Sequence, residues 1–218
     1  MSFYSEKKTL VLYCALAAMG IILSAGGAAR GASVKIEVTG WVTEVYDPGG
    51  VLEGQINVYD TFTGFYKYES GTADINPSPA VGDYQHDISP FGIFLDIGGV
   101  HFESNPTGVD FLVEVSNDST DRYLIKSTNN RELPNGAVVG QILWRLEDNT
   151  GTILNSDALS PTVATLSDLT CWTSNLLRID GAMRIRAEII SAQPIPEPAS
   201  AFLMVFGTAI LITCRRKR

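Results

Sequence analysis

Alternating apolar and polar residues, in short segments separated by turn-forming residues, run through the middle of the chain and constrain its fold more than any other feature. A period of two places successive side chains on opposite faces of a β-strand. The longest such segment is 34–46, in which Val34, Ile36 and Val38 alternate with polar residues. The alternation slips after Gly40, which predicts a β-bulge there.

Further strands follow from the same pattern, at 51–59, 62–69, 91–97, 100–104, 109–115, 121–127 and 138–147, with two more inside 176–191. About ten short strands with almost no helical period predict an all-β fold, and we expect an antiparallel, jelly-roll-like β-sandwich over 33–193. Gly98 and Gly99 predict a two-residue hairpin turn. Segment 160–169 fits either a short helix, with Ser160 as its N-cap, or a loop.

The first 32 residues contain the three parts of a secretory signal peptide. Lys7 and Lys8 close a polar start, residues 9–23 carry no charge, and mostly small residues follow. The apolar run enters a membrane as a helix, and signal peptidase then cuts among the small residues. We therefore predict a signal peptide over 1–32, or, as the alternative, an uncleaved signal anchor. The predicted cut follows Ala29, Gly31 or Ala32.

Residues 194–218 contain a second apolar segment, between a proline-rich start and a basic end. Pro196, Glu197 and Pro198 precede the uncharged stretch 199–214. As a helix that stretch spans roughly 24 Å, against a hydrocarbon core of about 30 Å. Four cationic residues follow this stretch: Arg215, Arg216, Lys217 and Arg218. They extend the span by snorkelling and keep the end of the chain in the cytoplasm, so the domain lies on the other side of the membrane. We predict a single transmembrane helix over 199–214.

A Pro-Glu-Pro motif, a short apolar helix and an arginine-rich end together resemble the PEP-CTERM sorting signal of Gram-negative and related bacteria. The resemblance implies an exported substrate of exosortase, a multi-pass membrane enzyme with a cysteine nucleophile. It also implies a link to exopolysaccharide production and biofilm formation. The sorting motif would be Pro196, Glu197 and Pro198. The alternative is an ordinary C-terminal anchor behind a proline-rich linker, which also leaves the domain outside the cytoplasm.

The middle of the chain carries a second resemblance, over roughly residues 38–190. GFYKYES, PSPAVGDYQH, FGIFLDIGGVHF and VDFLVEVSND are similar to segments of exported, uncharacterised bacterial β-proteins with the same kind of tail. The pattern implies a strand, a proline-rich loop containing the Gly-Asp-Tyr sequence, a hairpin and another strand. It implies a fold and a cellular address, but no activity.

Residues 33–193 carry 22 acidic and 9 basic side chains, a net charge of −13, against −8 for the whole chain. This charge argues against a nucleic-acid-binding protein, which needs basic patches to meet phosphates. Because Cys14 and Cys214 lie in the terminal segments, Cys171 is alone in this domain and cannot form an internal disulfide. Its neighbour Trp172 predicts that Cys171 is buried.

The sequence has no nucleophile elbow, P-loop or dinucleotide-binding glycine motif. His86 and His101 are interpreted as ordinary strand or loop histidines. A glycosidase needs two carboxylates across a cleft, but most of the central carboxylates are expected to face solvent. They are Asp83, Asp87, Asp96, Glu103 and Asp110. The sequence therefore predicts no enzyme, and a secreted hydrolase is the weakest alternative.

Two alternatives concern binding. Segments 117–121 and 148–150, rich in Asp, Asn, Ser and Thr, offer oxygen ligands for Ca²⁺, although turn-forming residues explain both. Sugar binding would use exposed aromatic faces, for which the candidates are Trp41, Trp144, Trp172, Tyr59, Tyr66, Tyr68 and Tyr84.

The main expectation is a non-enzymatic protein of the cell envelope or extracellular matrix, transiently anchored in the inner membrane by its C-terminal helix. Its processing partners would be signal peptidase and exosortase, and extracellular polysaccharide is the partner considered for the domain. No cofactor, metal site or nucleic acid is predicted. The open alternative is a carbohydrate-binding, lectin-like module, with or without calcium.

Overall fold

The structure, a computed structural model, describes residues 31–159 and 166–195. Within these residues it is all-β, with a short 3₁₀ helix at Leu169–Cys171, and the prediction of an all-β antiparallel fold is confirmed. The strands are β1 Ser33–Tyr46, β2 Thr61–Glu69, β3 Val81–His86, β4 Gly92–Ile97, β5 Val100–Glu103, β6 Phe111–Ser116, β7 Asp121–Ser127, β8 Val139–Asp148, β9 Ser174–Gly181 and β10 Arg184–Ile195.

These strands form one antiparallel sheet in the order β3-β6-β7-β8-β9-β10-β1-β2-β4-β5. The sheet curls, because side chains from distant strands meet inside it. The Tyr66 hydroxyl on β2 lies 3.0 Å from the Tyr123 hydroxyl on β7. The Tyr66 ring also packs edge-on against Trp144 of β8, with 6.0 Å between centroids. The two arms of the sheet, one containing β2 and the other containing β7 and β8, therefore enclose one core.

The core follows the alternation of the sequence. In β1 the even-numbered residues from Val34 to Val42 are buried, while the odd-numbered ones reach the outer face. The β1–β10 register does shift between Thr39 and Gly40, but the extra residue is Ile190 of β10, and the predicted slip in the alternation of β1 is wrong, since Val38, Gly40 and Val42 are all buried. Gly40 has no room for a side chain: a Cβ atom would lie 2.0 Å from the Glu188 carbonyl oxygen. The hairpin turn at Gly98 and Gly99 is confirmed, with φ of 60° and 81°.

The strand predicted at 51–59 is wrong. Asp47 accepts backbone hydrogen bonds from Val51 and Leu52, at 2.9 and 2.8 Å, and holds this segment in turns. Glu53 and Tyr59 adopt positive φ, which interrupts any extended backbone.

β3 was not predicted as a strand, because its Gly-Asp-Tyr sequence was assigned to a proline-rich loop. It pairs instead with β6, from Val81 opposite Ser116 to His86 opposite Phe111.

The predicted terminal segments, 1–32 and 199–214, lie outside the described residues apart from Gly31 and Ala32. The compact unit that contains the sheet begins at Ala32. Residues 160–165 of segment 160–169 are likewise outside, and the 3₁₀ helix begins at the last residue of the segment, Leu169. Its N-cap is Asp168, which accepts from the Thr170 N–H. Across 31–159 and 166–195, no helix has the length and apolar character of a membrane span.

Candidate functional site

A cleft of about 580 Å³ opens where β9 and β10 separate, and we call it the divergence cleft. The two strands pair from Arg184–Asp180 only as far as Ala187–Leu177. Beyond this pair, the Asn175 side chain bridges the gap by donating to the Ile189 carbonyl oxygen at 2.6 Å. The cleft is lined by Leu169, Thr170, Trp172, Thr173, Asn175, Glu188, Ile189 and Ile190.

Asn175 is held rigidly at the base of this cleft. Its carbonyl oxygen accepts a hydrogen bond from the Trp144 indole N–H at 3.0 Å, while its amide donates to Ile189. Trp144 is only 1% exposed, so the bridge ties the cleft to the core of the sheet. A site placed on such a fixed support keeps its geometry when a ligand binds.

Trp41 forms an aromatic platform beside the cleft. It pairs across β1 and β10 with Glu188, so both side chains lie on the same outer face. Trp41 is 41% exposed, and Ile190, the residue skipped by the register shift in β10, is 51% exposed. An indole face, a carboxylate and a cleft with threonine hydroxyls therefore lie side by side on this surface.

Of the tryptophans proposed for sugar binding, only Trp41 lies on the surface. Trp144 and Trp172 are buried in the core. Tyr59 is 83% exposed, whereas Tyr66, Tyr68 and Tyr84 are buried. Burial raises the pKa of Tyr66 well above its ordinary value, as it does for Tyr68.

Two further exposed apolar residues, Tyr46 and Val58, were missed from the sequence, and Val58 lies next to the candidate Tyr59. Tyr46 ends β1, and Val58 and Tyr59 lie in the turn that leads into β2. The Tyr59 N–H donates to the Val42 carbonyl oxygen at 2.8 Å, which holds this turn against β1. Glu188 was missed as well, since its position beside Trp41 depends on a strand register that no local pattern fixes.

The two candidate histidines lie in different environments. His86 is 3% exposed. Its Nε2 lies 3.0 Å from the Glu69 N–H and accepts from it, so the ring proton is on Nδ1 and donates to the Tyr84 carbonyl oxygen. Burial lowers the pKa of His86. His101 is exposed, with its Nδ1 3.2 Å from an Asp96 carboxylate oxygen.

The five carboxylates considered for a hydrolase each have a local partner. Every one accepts a hydrogen bond from, or forms an ion pair with, a neighbouring side chain. The partnerships are Asp83 with Asn76, Asp87 and Asp110 with Gln85, Asp96 with His101, and Glu103 with Arg131.

The two segments considered for calcium are brought together, because Asp121 of β7 pairs with Asp148 of β8. Their carboxylates already hold protein donors. Asp121 accepts from the backbone N–H groups of Ile153 and Leu154, at 2.8 and 2.7 Å. Asp148 accepts from Thr150 and other neighbours, and these hydrogen bonds lower its pKa to about 2. In the described part of the chain, no three His, Cys, Asp or Glu side chains are grouped to hold a metal ion.

The prediction that Cys171 is buried is wrong. The 3₁₀ helix presents Cys171 to solvent, and the chain then turns Trp172 into the core. The Cys171 thiol donates to an Asp168 carboxylate oxygen at 3.4 Å, and this hydrogen bond raises its pKa.

Comparison of the chain with protein-family models, curated proteins and solved structures gives no match. The residues of the predicted targeting segments lie outside the described part of the chain. They are Lys7 and Lys8, Pro196, Glu197 and Pro198, and the basic end from Arg215 to Arg218.

Proposed function

We propose that this chain is an exported, non-enzymatic protein of the cell envelope or extracellular matrix, sorted by exosortase through a PEP-CTERM tail. One observation supports the proposal: the sheet lies between the predicted signal-peptidase site and the Pro-Glu-Pro motif, with β10 extending over Pro194 and Ile195, the first two residues of the predicted 194–218 segment. β1 begins at Ser33, next to the predicted signal-peptidase site, and β10 ends at Ile195, next to Pro196. Cuts at those sites would therefore leave all ten described strands intact.

The finer fold assignment, a jelly-roll-like sandwich, belongs to the same proposal. It is supported by the contact of Tyr66 in one arm of the sheet with Trp144 and Tyr123 in the other. The C-terminal helix would anchor the protein in the inner membrane until exosortase acts. Extracellular polysaccharide is the partner we assign to the mature protein.

Substitutions at the sorting motif test this proposal, because they leave the apolar span intact. In an exosortase-positive host we expect Glu197→Ala and Pro198→Ala to abolish processing, so that the unprocessed form accumulates. Lys126→Ala, at a partly exposed position of β7, is the matched control and should be processed normally. Immunoblotting of membrane and medium fractions measures both forms, and normal processing of both motif variants would reduce the tail to a plain anchor.

A second candidate function, carbohydrate binding, is favoured by the exposed indole of Trp41 beside Glu188 and the divergence cleft. An indole face can cover the C–H face of a sugar ring, while a carboxylate and hydroxyl groups pair with the sugar's own hydroxyls. A ligand in this position would contact Trp41 from above and reach Thr170 and Thr173 in the cleft.

Replacing Trp41 tests the sugar site directly. We expect Trp41→Ala to weaken glycan binding by about tenfold or more, since an aromatic contact contributes about 0.5–1.5 kcal/mol beyond the area it covers. Ile88→Ala removes a more exposed apolar residue elsewhere and should leave binding unchanged. Glycan-array screening followed by calorimetry supplies the measurement, and equal affinities for the two variants would remove Trp41 from the site.

A further inference from the structure

The divergence cleft is negatively charged, and this charge restricts the ligands that it can bind. Glu188 is the charged residue among those that line it, and no Lys, Arg or His of the described residues joins it there. Two further carboxylates, those of Asp148 and Asp168, are bonded to the hydroxyls of the lining threonines. The domain as a whole, with its net charge of −13, adds to the attraction of cations.

The two threonine hydroxyls of the cleft can accept hydrogen bonds from a ligand, but their protons are already engaged. A hydroxyl has one proton and two lone pairs. Thr170 donates its proton to an Asp168 carboxylate oxygen at 2.6 Å. Thr173 donates its proton to an Asp148 carboxylate oxygen at 3.3 Å. These side chains therefore favour a ligand that brings its own donors.

Glu188 is an exposed carboxylate that the protein itself leaves unpaired. Within 31–159 and 166–195, no side chain forms an ion pair or a hydrogen bond with it. The arginines of the adjoining outer face are paired elsewhere: Arg145 with Glu147, Arg178 with Asp180 and Arg186 with Glu44. A cation from outside can therefore bind Glu188 without displacing a protein group.

The Trp41 indole gives that cation a second contact. Trp41 is 41% exposed, and among the described residues no other aromatic ring and no cation packs on its indole. Directly paired residues of neighbouring strands have Cβ atoms about 4.5–5.5 Å apart, and Trp41 and Glu188 are such a pair. An ammonium group held by Glu188 therefore lies within the range of about 6 Å at which a tryptophan ring attracts it.

We propose that the divergence cleft and Trp41 bind an amino sugar whose amine is free and protonated, as in a polysaccharide that contains de-N-acetylated hexosamine. The ammonium lies at Glu188, the sugar ring covers Trp41, and the sugar hydroxyls donate to Thr170 and Thr173. This assignment rests on the second candidate function, carbohydrate binding, and names its ligand class. The same charges disfavour a uronate, which carries a carboxylate.

Calorimetric titration of the purified full-length chain in neutral detergent micelles tests the ligand class. The probes are the tetramer of β-1,4-linked glucosamine, the same tetramer fully N-acetylated, and tetralysine, at a pH below the pKa of the amines. N-acetylation keeps the sugar ring and removes the positive charge. We expect the glucosamine tetramer to bind about tenfold more tightly than the N-acetylated one, because it gains an exposed ion pair and a cation–π contact. Added salt should narrow this difference.

Glu188→Gln is the deciding variant, since it removes the carboxylate charge and keeps the size of the side chain. We expect it to weaken binding of the glucosamine tetramer about threefold to fivefold and to leave the N-acetylated tetramer unaffected. Glu132→Gln removes the same charge at an exposed loop position between β7 and β8. It is the matched control and should change neither affinity.

The outcomes separate this inference from the function on which it rests. Equal affinities of the wild type for the two tetramers, or equal losses for both in Glu188→Gln, would overturn the amino-sugar assignment, while a loss of binding in Trp41→Ala would keep the sugar site. Binding of neither tetramer would overturn both. Tetralysine that binds as tightly as the glucosamine tetramer would make a basic peptide the ligand and overturn the assignment to a sugar.

Discussion

At the scale of single residues, His86 illustrates how a polar side chain becomes part of a core. Both ring nitrogens have backbone partners, at Glu69 and Tyr84, so the neutral ring is fully hydrogen-bonded. The rings of Phe91 and Phe111 lie against it, with centroids 5.2 and 5.8 Å away. Protonation of Nε2 would remove the acceptor of the Glu69 N–H and place two N–H groups against each other. The buried position also disfavours the positive charge of the protonated ring.

His86 therefore makes the stability of the domain depend on pH. Because its pKa is lowered from 6.5 in the folded state, the unfolded chain takes up a proton first as the pH falls. We expect the contribution of His86 to the free energy of unfolding to be constant above pH 7 and to decrease below about pH 6.5. His86→Phe should flatten that decrease between pH 7 and 5, whereas His101→Gln, at an exposed site, should retain it. Urea titrations at several pH values measure both, and parallel pH profiles for wild type and His86→Phe would contradict the assignment.

The burial of single residues could be predicted where alternation is unbroken. Trp144 lies on the same face of β8 as Ile142 and Leu146, opposite Arg145 and Glu147, and all three apolar residues are buried. Trp41 is exposed because the alternation of β1 continues unbroken through it, and the extra residue of the nearby bulge, Ile190, lies in β10 instead. Cys171 was assigned by its neighbour, but a 3₁₀ turn rotates successive residues by about 120°, so Trp172 is buried while Cys171 is not.

At the scale of elements, the missed strand β3 has a physical explanation. Its inward residues are Gly82, Tyr84 and His86, while Val81 points partly outward, so the apolar signal of a strand is weak. The inward position of Gly82 has no room for a side chain, because a Cβ atom would lie 2.6 Å from the Asp157 carbonyl oxygen. β3 is a strand because it pairs with β6, which is distant in sequence. No local sequence pattern predicts that pairing.

The opposite error, at 51–59, arises from local hydrogen bonds. Apolar residues such as Leu52 and Ile56 are buried there, as a strand would require. The Asp47 carboxylate nevertheless binds two backbone N–H groups that a strand would give to its neighbour. The candidate sites depend on the same kind of information. Glu188 lies beside Trp41 only through strand register.

At the scale of the whole molecule, the curled sheet has two edges, β3 and β5. Edge strands offer unpaired backbone groups to other chains. β5 has only four residues and carries His101 and Glu103, while β3 carries Asp83. Short length and charge, together with a net charge of −13 over residues 33–193, oppose edge-to-edge association.

The described sheet should therefore fold without its terminal segments. We expect residues 33–195, expressed alone, to be a β-rich monomer that needs no cofactor or disulfide, since a chain of about 150 residues buries roughly 68–70% of its unfolded surface. Circular dichroism and size-exclusion chromatography with reductant measure this, with Cys171→Ser as the control for intermolecular disulfides. A spectrum typical of a disordered chain would overturn the assignment of an independent domain.

Calcium gives the same domain a discriminating test. Asp121 and Asp148 lie side by side, but their oxygens accept from Ile153, Leu154 and Thr150, so a metal ion would have to displace existing hydrogen bonds. A site that binds only the folded state would add about 2.7 kcal/mol at a hundredfold excess over its dissociation constant. In a domain of this size that energy raises the melting temperature by several degrees. We expect millimolar Ca²⁺, like millimolar Mg²⁺ and EDTA, to leave the melting temperature unchanged. A rise of several degrees with Ca²⁺ alone would mean that the threonine and backbone donors give way to the metal, and would favour the calcium-dependent lectin.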